Sequence, residues 1–89
     1  MKPVRWTIHA LGNLNDPEID RAEADKTLKN PDFAVPGQAS LRVFMRRYYD
    51  QTLKQEMLIR LVVEETATEK VVITVYKTSQ IEKYLKGIG

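Results

Sequence analysis

Residues 41–78 read LRVFMRRYYDQTLKQEMLIRLVVEETATEKVVITVYKT, and the architecture of the chain follows mainly from this segment. It contains three segments in which side chains alternate with a period of two, and polar segments at 50–54 and 64–70 separate them. Alternation of this kind is typical of β-strands, and short polar connections favour hairpins between neighbouring strands. The stretch therefore predicts a three-stranded antiparallel meander.

The alternation also predicts which side chains share a face of the sheet. If both hairpins pair residues whose numbers sum to an even value, the odd-numbered residues form one apolar face that packs against helices. These residues are Leu41, Val43, Met45, Met57, Ile59, Leu61, Val63, Val71, Ile73 and Val75. The other face then carries Arg42, Phe44, Arg46, Tyr48, Leu58, Arg60, Val62, Thr74 and Tyr76.

The chain before the meander predicts a short first strand or turn and one or two helices. Residues 5–9 begin with β-favouring side chains, and residues 10–15 are compatible with one or two helical turns. Residues 32–39 contain Pro36-Gly37 and predict a loop.

The clearest helix is predicted over residues 21–29. Asp20 and Glu23 have the spacing of a capping box, in which each side chain accepts a hydrogen bond from a free backbone N–H of the first turn. Pro31 ends this helix because it disfavours helical geometry at the preceding residue.

A last helix is predicted over residues 80–86. Ser79 and Glu82 have the same capping-box spacing, and Gly87 stands where a left-handed residue often ends a helix. The side chains of Ile81, Tyr84 and Leu85 share one face of this helix.

Length and composition indicate a single α+β domain over residues 1–89. Of the 89 residues, 43% are hydrophobic and none is cysteine, so the core must be held by packing without disulfides. The apolar runs are far shorter than a membrane span of about 20 residues, which favours a cytoplasmic protein without membrane contact. The net charge of +2 is concentrated in residues 39–89, which carry nine Lys or Arg and six Asp or Glu, a balance compatible with an anionic partner such as RNA.

The arginines and tyrosines of the even-numbered face are the main candidate site. Arginine offers a bidentate donor to phosphate, and tyrosine can stack on a base or donate to an oxyanion. The alternative is an ordinary solvated face on which arginine stems cover Phe44 and Leu58. His9 is the only histidine and is a candidate general acid or base, with a structural hydrogen-bonding role as its alternative. A lone histidine and no cysteine predict neither a metal site nor a cofactor.

Several short motifs resemble a small bacterial family, the domain of unknown function 4258. They are Trp6-Thr-Ile-His-Ala10, Leu28-Lys-Asn-Pro-Asp32, Val35-Pro-Gly37, Thr74-Val-Tyr-Lys-Thr-Ser79 and Ile81-Glu-Lys-Tyr84, in that order. That family is similar to the RelE-like toxins and related small RNases. The resemblance implies helices packed on one face of a twisted antiparallel sheet of three to four strands, and it implies an antitoxin-like protein partner. The segment from Gly12 to Glu18 departs from the family's usual helix and its arginine-containing turn.

The resemblance further implies metal-independent RNA cleavage in which the RNA 2′-hydroxyl is the nucleophile. His9 or Tyr76 would then transfer protons, and Arg46 and Arg60 would stabilise the charged phosphorane. The nucleic-acid-binding set would be Arg42, Arg46, Arg47 and Lys77.

Two alternatives to a nuclease remain open at this stage. The first is a non-catalytic module that binds RNA or a protein through the same face, and the second is a structural protein whose function lies in a partner chain. The placement of the side chains distinguishes an enzyme from a binding module. An enzyme needs His9 or Tyr76 beside an arginine, whereas a binding module needs only a broad basic face.

Overall fold

The chain forms five strands and three helices in a computed structural model that describes residues 2–86. This confirms the α+β class, with more strands than the three or four predicted. The elements are β1 (Val4–Trp6), α1 (Ile8–Leu14), α2 (Arg21–Lys29), β2 (Phe33–Pro36), β3 (Leu41–Asp50), β4 (Gln55–Glu65), β5 (Lys70–Thr78) and α3 (Ile81–Leu85).

All five strands belong to one sheet in the order β1-β5-β4-β3-β2. Strands β2 to β5 form an antiparallel meander, and β1 pairs with β5 in parallel, so the sheet is mixed. The prediction of a loop over residues 32–39 was wrong for β2. Phe33 and Val35 pack against a buried cluster, and Pro36 is tolerated because β2 is an edge strand.

The pairing of β3 with β4 contradicts the predicted sheet faces. Phe44 lies opposite Leu61 and Asp50 opposite Gln55, so the paired numbers sum to an odd value. Even-numbered residues of β3 therefore share a face with odd-numbered residues of β4. The apolar pattern did not fix the register, because β4 buries Leu58 on one face and Ile59 on the other.

The two faces of the sheet are covered by different helices. The face that we call the α1/α2 face buries Phe44, Ile59, Leu61, Val63, Val72 and Val75 against Ala10, Ala24 and Leu28. The opposite face, which we call the α3 face, buries Val43, Met45 and Leu58 beneath Ile81, Tyr84 and Leu85. The expectation that the helices pack on one face is therefore wrong for α3, which covers a second, smaller core.

A β-bulge interrupts the pairing of β4 with β5. Val62 pairs with Thr74 and Val63 with Val72, which leaves Ile73 as an extra residue on β5. Thr7, the N-cap of α1, donates its hydroxyl to the Ile73 carbonyl (3.2 Å). The N-terminal end of α1 is thus hydrogen-bonded to the sheet at the bulge.

A second hydrogen-bonded contact strengthens this junction. The Asn13 side-chain oxygen accepts hydrogen bonds from the Thr74 hydroxyl and from the Val75 backbone N–H, each 2.9 Å long. Both ends of α1 are therefore bonded to β5 around the bulge. The helix begins two residues earlier than the predicted range of 10–15 because Thr7 caps it.

The helix ends confirm one predicted cap and correct another. Asp20 accepts a hydrogen bond from the Ala22 N–H (2.8 Å), and α2 has the predicted bounds. Glu23 does not complete the capping box, because its carboxylate binds Arg46 on β3. Ser79 is not a cap either: α3 begins after Gln80, which makes no side-chain capping bond. The predicted role of Gly87 lies outside the described residues.

The longest helix of residues 2–86 is α2, and its nine residues are far too few to cross a membrane.

Candidate functional site

An arginine and two tyrosines form a compact cluster on the α3 face. We call Arg60, Tyr76 and Tyr84 the Arg60 cluster. The guanidinium carbon of Arg60 lies 4.1 Å from the centroid of the Tyr84 ring and 5.2 Å from that of Tyr76. The two rings meet edge to face with their centroids 6.4 Å apart.

Strands β4 and β5 and helix α3 each contribute one side chain to this cluster. Arg60 on β4 lies opposite Tyr76 on β5, so both side chains project from the same face. Tyr84 reaches them from α3, which is anchored by its neighbours in the small core. The predicted juxtaposition of Arg60 with Tyr76 is therefore confirmed. Sequence reasoning placed Tyr84 on the apolar face of the last helix and missed its contact with Arg60, because no sequence signal showed which sheet face α3 covers.

Arg60 differs from the other arginines in its electrostatic partners. It is the one arginine of residues 2–86 that lacks a carboxylate within ion-pair distance. The remaining pairs are Arg5–Glu69, Arg21–Asp25, Arg42–Glu65, Arg46–Glu23 and Arg47–Glu56, with N–O distances of 2.6 to 3.3 Å.

Arg60 is also partly removed from water. Its Nε donates to the Met45 sulfur (3.3 Å), and its side chain is half-buried beneath Tyr84. Burial lowers the pKa of Arg60, while its interaction with Tyr84 opposes the shift. Arginine nevertheless stays protonated at neutral pH. The cluster therefore presents a permanent, incompletely solvated positive charge framed by two aromatic rings.

A groove of about 590 Å³ runs along α3 on the same side of the sheet. Its basic side chains are Arg47, Lys83 and Lys86, and Glu82 is its one acidic side chain. Arg47 lies opposite Leu58, so it projects from the α3 face as Arg60 does. This groove extends the positive surface that begins at the Arg60 cluster.

The structure separates Arg46 from Arg60 and Tyr76, which corrects the expectation that these three side chains project from the same side of the sheet. Arg46 lies opposite Ile59 and projects from the α1/α2 face, where its Nη1 is 2.6 Å from the Glu23 carboxylate. Arg42 and Lys77 project from this face too. Of the predicted nucleic-acid-binding set, only Arg47 shares a face with Arg60.

The place of His9 at the rim of the arginine surface stays a prediction, because no hydrogen bond or ring contact among residues 2–86 joins it to the Arg60 cluster. His9 is an exposed residue of α1, and α1 packs against β5 and β1 on the α1/α2 face. Asn13 of the same helix bonds to Thr74 and Val75, the two residues that precede Tyr76 on β5.

A second group of polar side chains is buried on the α1/α2 face. Lys77 binds the Asp50 carboxylate (2.7 Å), with side-chain exposures of only 6% and 8%, and the Tyr48 hydroxyl lies 3.4 Å from the same carboxylate. The hydrogen bond from Lys77 and those from the Leu53 and Thr52 backbone lower the pKa of Asp50 to about 2. Burial and the nearby Asp50 charge raise the pKa of Tyr48.

This buried group has a structural function. Asp50 ends β3 and accepts hydrogen bonds from the turn that follows it, while Lys77 connects it to β5. No local sequence signal indicates this pairing, because it joins residues that are 27 positions apart.

Among residues 2–86, no three His, Asp or Glu side chains are grouped in a metal-binding arrangement.

Comparison of the chain with protein-family models, curated proteins and solved structures yields no match. Inference about function therefore rests on the site itself.

Proposed function

We propose that this protein binds single-stranded RNA through the α3 face, with the Arg60 cluster as the centre of the contact. The observation that carries the proposal is the half-buried Arg60 charge without a carboxylate partner. A partly desolvated charge is stabilised by an opposite charge. A phosphate diester would supply that charge and would match the two parallel N–H groups of the guanidinium.

The two tyrosines and the groove support RNA over a small anion. Aromatic rings next to a phosphate-binding arginine can stack on the bases of a flexible single strand. Arg47, Lys83 and Lys86 continue the positive charge along α3, so several phosphates of one strand could be contacted in turn. A single strand fits this surface better than a duplex, because its bases are free to stack.

The direct test is a binding titration with fluorescein-labelled oligouridylate, followed by anisotropy at about 50 and 200 mM salt. We expect weak, salt-sensitive binding. Arg60→Ala should lower the affinity about tenfold to a hundredfold and reduce the salt slope by roughly one counterion. Arg60→Lys should recover only part of the affinity, since a point charge does not replace the planar fork.

Arg46→Ala is the matched control for this titration. It removes an arginine of the adjacent strand that projects from the opposite face and is bound to Glu23. We expect it to leave the RNA affinity and the salt slope unchanged. Equal losses in the Arg46 and Arg60 variants, or an affinity that is insensitive to salt, would reject the proposal.

RNA cleavage is the second candidate, and the contact between Arg60 and Tyr76 favours it. In this reaction the RNA 2′-hydroxyl gives its proton to a water molecule as its oxygen attacks the adjacent phosphorus, the bond to the 5′-oxygen breaks, and a 2′,3′-cyclic phosphate remains. Arg60 would stabilise the charge of the phosphorane, and Tyr76 would protonate the departing 5′-oxygen. Arg46 is not part of this candidate, because its side chain projects from the other face of the sheet, and His9 makes no contact with the Arg60 cluster.

Cleavage is tested by incubating the labelled RNA with excess protein and analysing the products for a cyclic phosphate. We expect Tyr76→Phe to slow cleavage while RNA binding is retained. Stable RNA in the presence of an active binding preparation would leave binding as the function and eliminate cleavage.

A further inference from the structure

Strand β1 leaves one edge of the sheet open. The Lys70 N–H donates to the Pro3 carbonyl, and the Thr7 N–H donates to the Val72 carbonyl. The odd-numbered residues in and beside β1 therefore direct their backbone groups toward β5. In this parallel pairing the backbone N–H and carbonyl groups of Val4 and Trp6 point away from the sheet. They offer four hydrogen-bonding groups to an added strand.

A groove of about 560 Å³ lies beside this edge, between β1 and α2. Val4, Trp6 and Leu28 form the apolar part of the groove lining, and Val4 is 42% exposed. The groove exists because α2 packs over β3 and β4 while α1 packs over β5 and β1, which leaves a corner of the sheet uncovered.

The charged side chains around this groove are mostly positive. Its lining contains four cationic side chains and a single carboxylate, that of Asp25. Asp25 is bound to Arg21, and Lys2 is bound to a neighbouring glutamate. Lys29 and Lys70 make no ion pair with any carboxylate of residues 2–86.

We infer that β1 and this groove bind an extended acidic segment of a partner protein as a sixth strand. The outward N–H and carbonyl groups of Val4 and Trp6 would pair with the segment's backbone. An apolar side chain of the segment would fill the space over Val4 and Leu28, and its carboxylates would meet Lys29 and Lys70. This surface is separate from the Arg60 cluster, which projects from the opposite face.

A protein segment accounts for these features better than RNA does. The open hydrogen-bonding groups have the spacing of a β-strand, which a peptide backbone matches and a sugar-phosphate chain does not.

Trp6 makes the inference directly testable, because it is the only tryptophan of the chain and lies in the groove. The probe is a short acetylated and amidated peptide of mixed glutamate, leucine and valine, and its control replaces each glutamate with glutamine. Titration of the full chain with the glutamate peptide should shift the Trp6 emission and saturate, and added salt should weaken the binding. The glutamine peptide should bind several-fold more weakly.

Two variants separate strand addition from nonspecific charge attraction. Val4→Pro removes one outward N–H without removing a bond to β5, so the fold should persist while peptide binding is lost. The double charge reversal Lys29→Glu with Lys70→Glu should lower the affinity about fivefold to tenfold. Lys54→Glu makes the same kind of charge change at the distant β3–β4 turn and should leave the affinity unchanged.

Each contrary outcome overturns the inference. A Trp6 emission that does not change with the glutamate peptide, or equal binding of the glutamine peptide, rejects an acidic segment. A Trp6 response to oligouridylate alone assigns the groove to RNA. Self-association that is seen by light scattering and abolished by Val4→Pro assigns the edge to a second copy of this chain.

Discussion

The Arg60 guanidinium and the Tyr84 ring are in contact at 4.1 Å, and this contact joins the last helix to the sheet. Helix α3 has five residues, no buried residue and no side-chain cap, so its own helical stability is small. Its position therefore depends on side-chain contacts with the α3 face. The same arginine that we propose for RNA binding also holds the helix beside the groove.

Replacing Tyr84 with leucine should loosen α3. The leucine keeps apolar packing but removes the cation–π contact, and we expect a loss of about 0.5–2 kcal/mol in the free energy of unfolding. Tyr84→Phe keeps the ring and should show no such loss. Urea denaturation of both variants, repeated in an Arg60→Met background, checks the origin of the effect. An equal loss from Tyr84→Leu in that background would show that Arg60 is not involved.

Truncation of Leu61 should strongly destabilise the larger core. Leu61 has no exposed surface and lies between Phe44 and Val75 in the sheet, so Leu61→Ala should lower the free energy of unfolding by about 2–4 kcal/mol. Leu11 on α1 is 46% exposed, and Leu11→Ala serves as the control with a much smaller loss. Thermal or urea denaturation gives both values. Similar losses at the two positions would contradict the packing of α1 and α2 described above.

The Asp50–Lys77 pair should make stability depend on acidic pH. The pKa of Asp50 is about 2 in the folded state, below its usual value near 4, so the unfolded chain takes up the proton first as the pH falls. The stabilisation is complete above about pH 4 and is lost as the pH falls toward 2. Urea denaturation across this range should show a declining free energy of unfolding.

A double variant isolates the contribution of this pair. Asp50→Asn combined with Lys77→Met removes both charges from the buried site, so no unpaired lysine is left behind. Its stability should decline less between pH 4 and 2 than that of the original chain. An identical decline would assign the acid sensitivity to other carboxylates.

Asp20 and Ser79 were both predicted to cap helices, and we now expect opposite results when each is replaced with alanine. Asp20→Ala removes the hydrogen bond to the Ala22 N–H and should lower the free energy of unfolding by about 1 kcal/mol. Ser79→Ala should have little effect, because Ser79 is exposed and does not cap α3. Thermal denaturation of the two variants decides the point. A larger loss from the serine variant would be incompatible with the observed start of α3.

His9 should be dispensable for any activity of the Arg60 cluster. Since His9 is exposed on α1 and contacts no residue of the Arg60 cluster, His9→Ala should leave RNA affinity and any cleavage rate unchanged from about pH 5 to 8. The pH profile of binding and cleavage checks this. A pH profile that differs between the His9→Ala variant and the original chain would make His9 a site residue.

The sequence predicted the elements better than it predicted their faces. Alternation located β3, β4 and β5, and the Asp20 cap with Pro31 gave the bounds of α2. The faces depended on the register, and β4 is apolar on both sides because α3 covers a second core. The bulge at Ile73 changes the parity again within β5. Neither feature leaves a local mark in a single sequence.

The same reason explains which part of the site was predicted. Arg60 and Tyr76 lie on strands whose pairing near the site matches the expected even sum, so their shared face was correct. Arg46 lies across the β3–β4 hairpin, where the sum is odd, and so it projects from the other side. The error thus came from one hairpin register.

The bulge on β5 also constrains the order in which the chain can fold. Thr7 bonds to Ile73 across 66 positions, and Asn13 bonds to Val75 across 62. The hairpins of β2 to β5 join near neighbours in sequence and can form early, whereas β1 and α1 must wait for a late strand. During synthesis, the N-terminal segment leaves the ribosome first and acquires its docking site last. We therefore expect β1 and α1 to be absent from the folding transition state and to be the first elements released on unfolding.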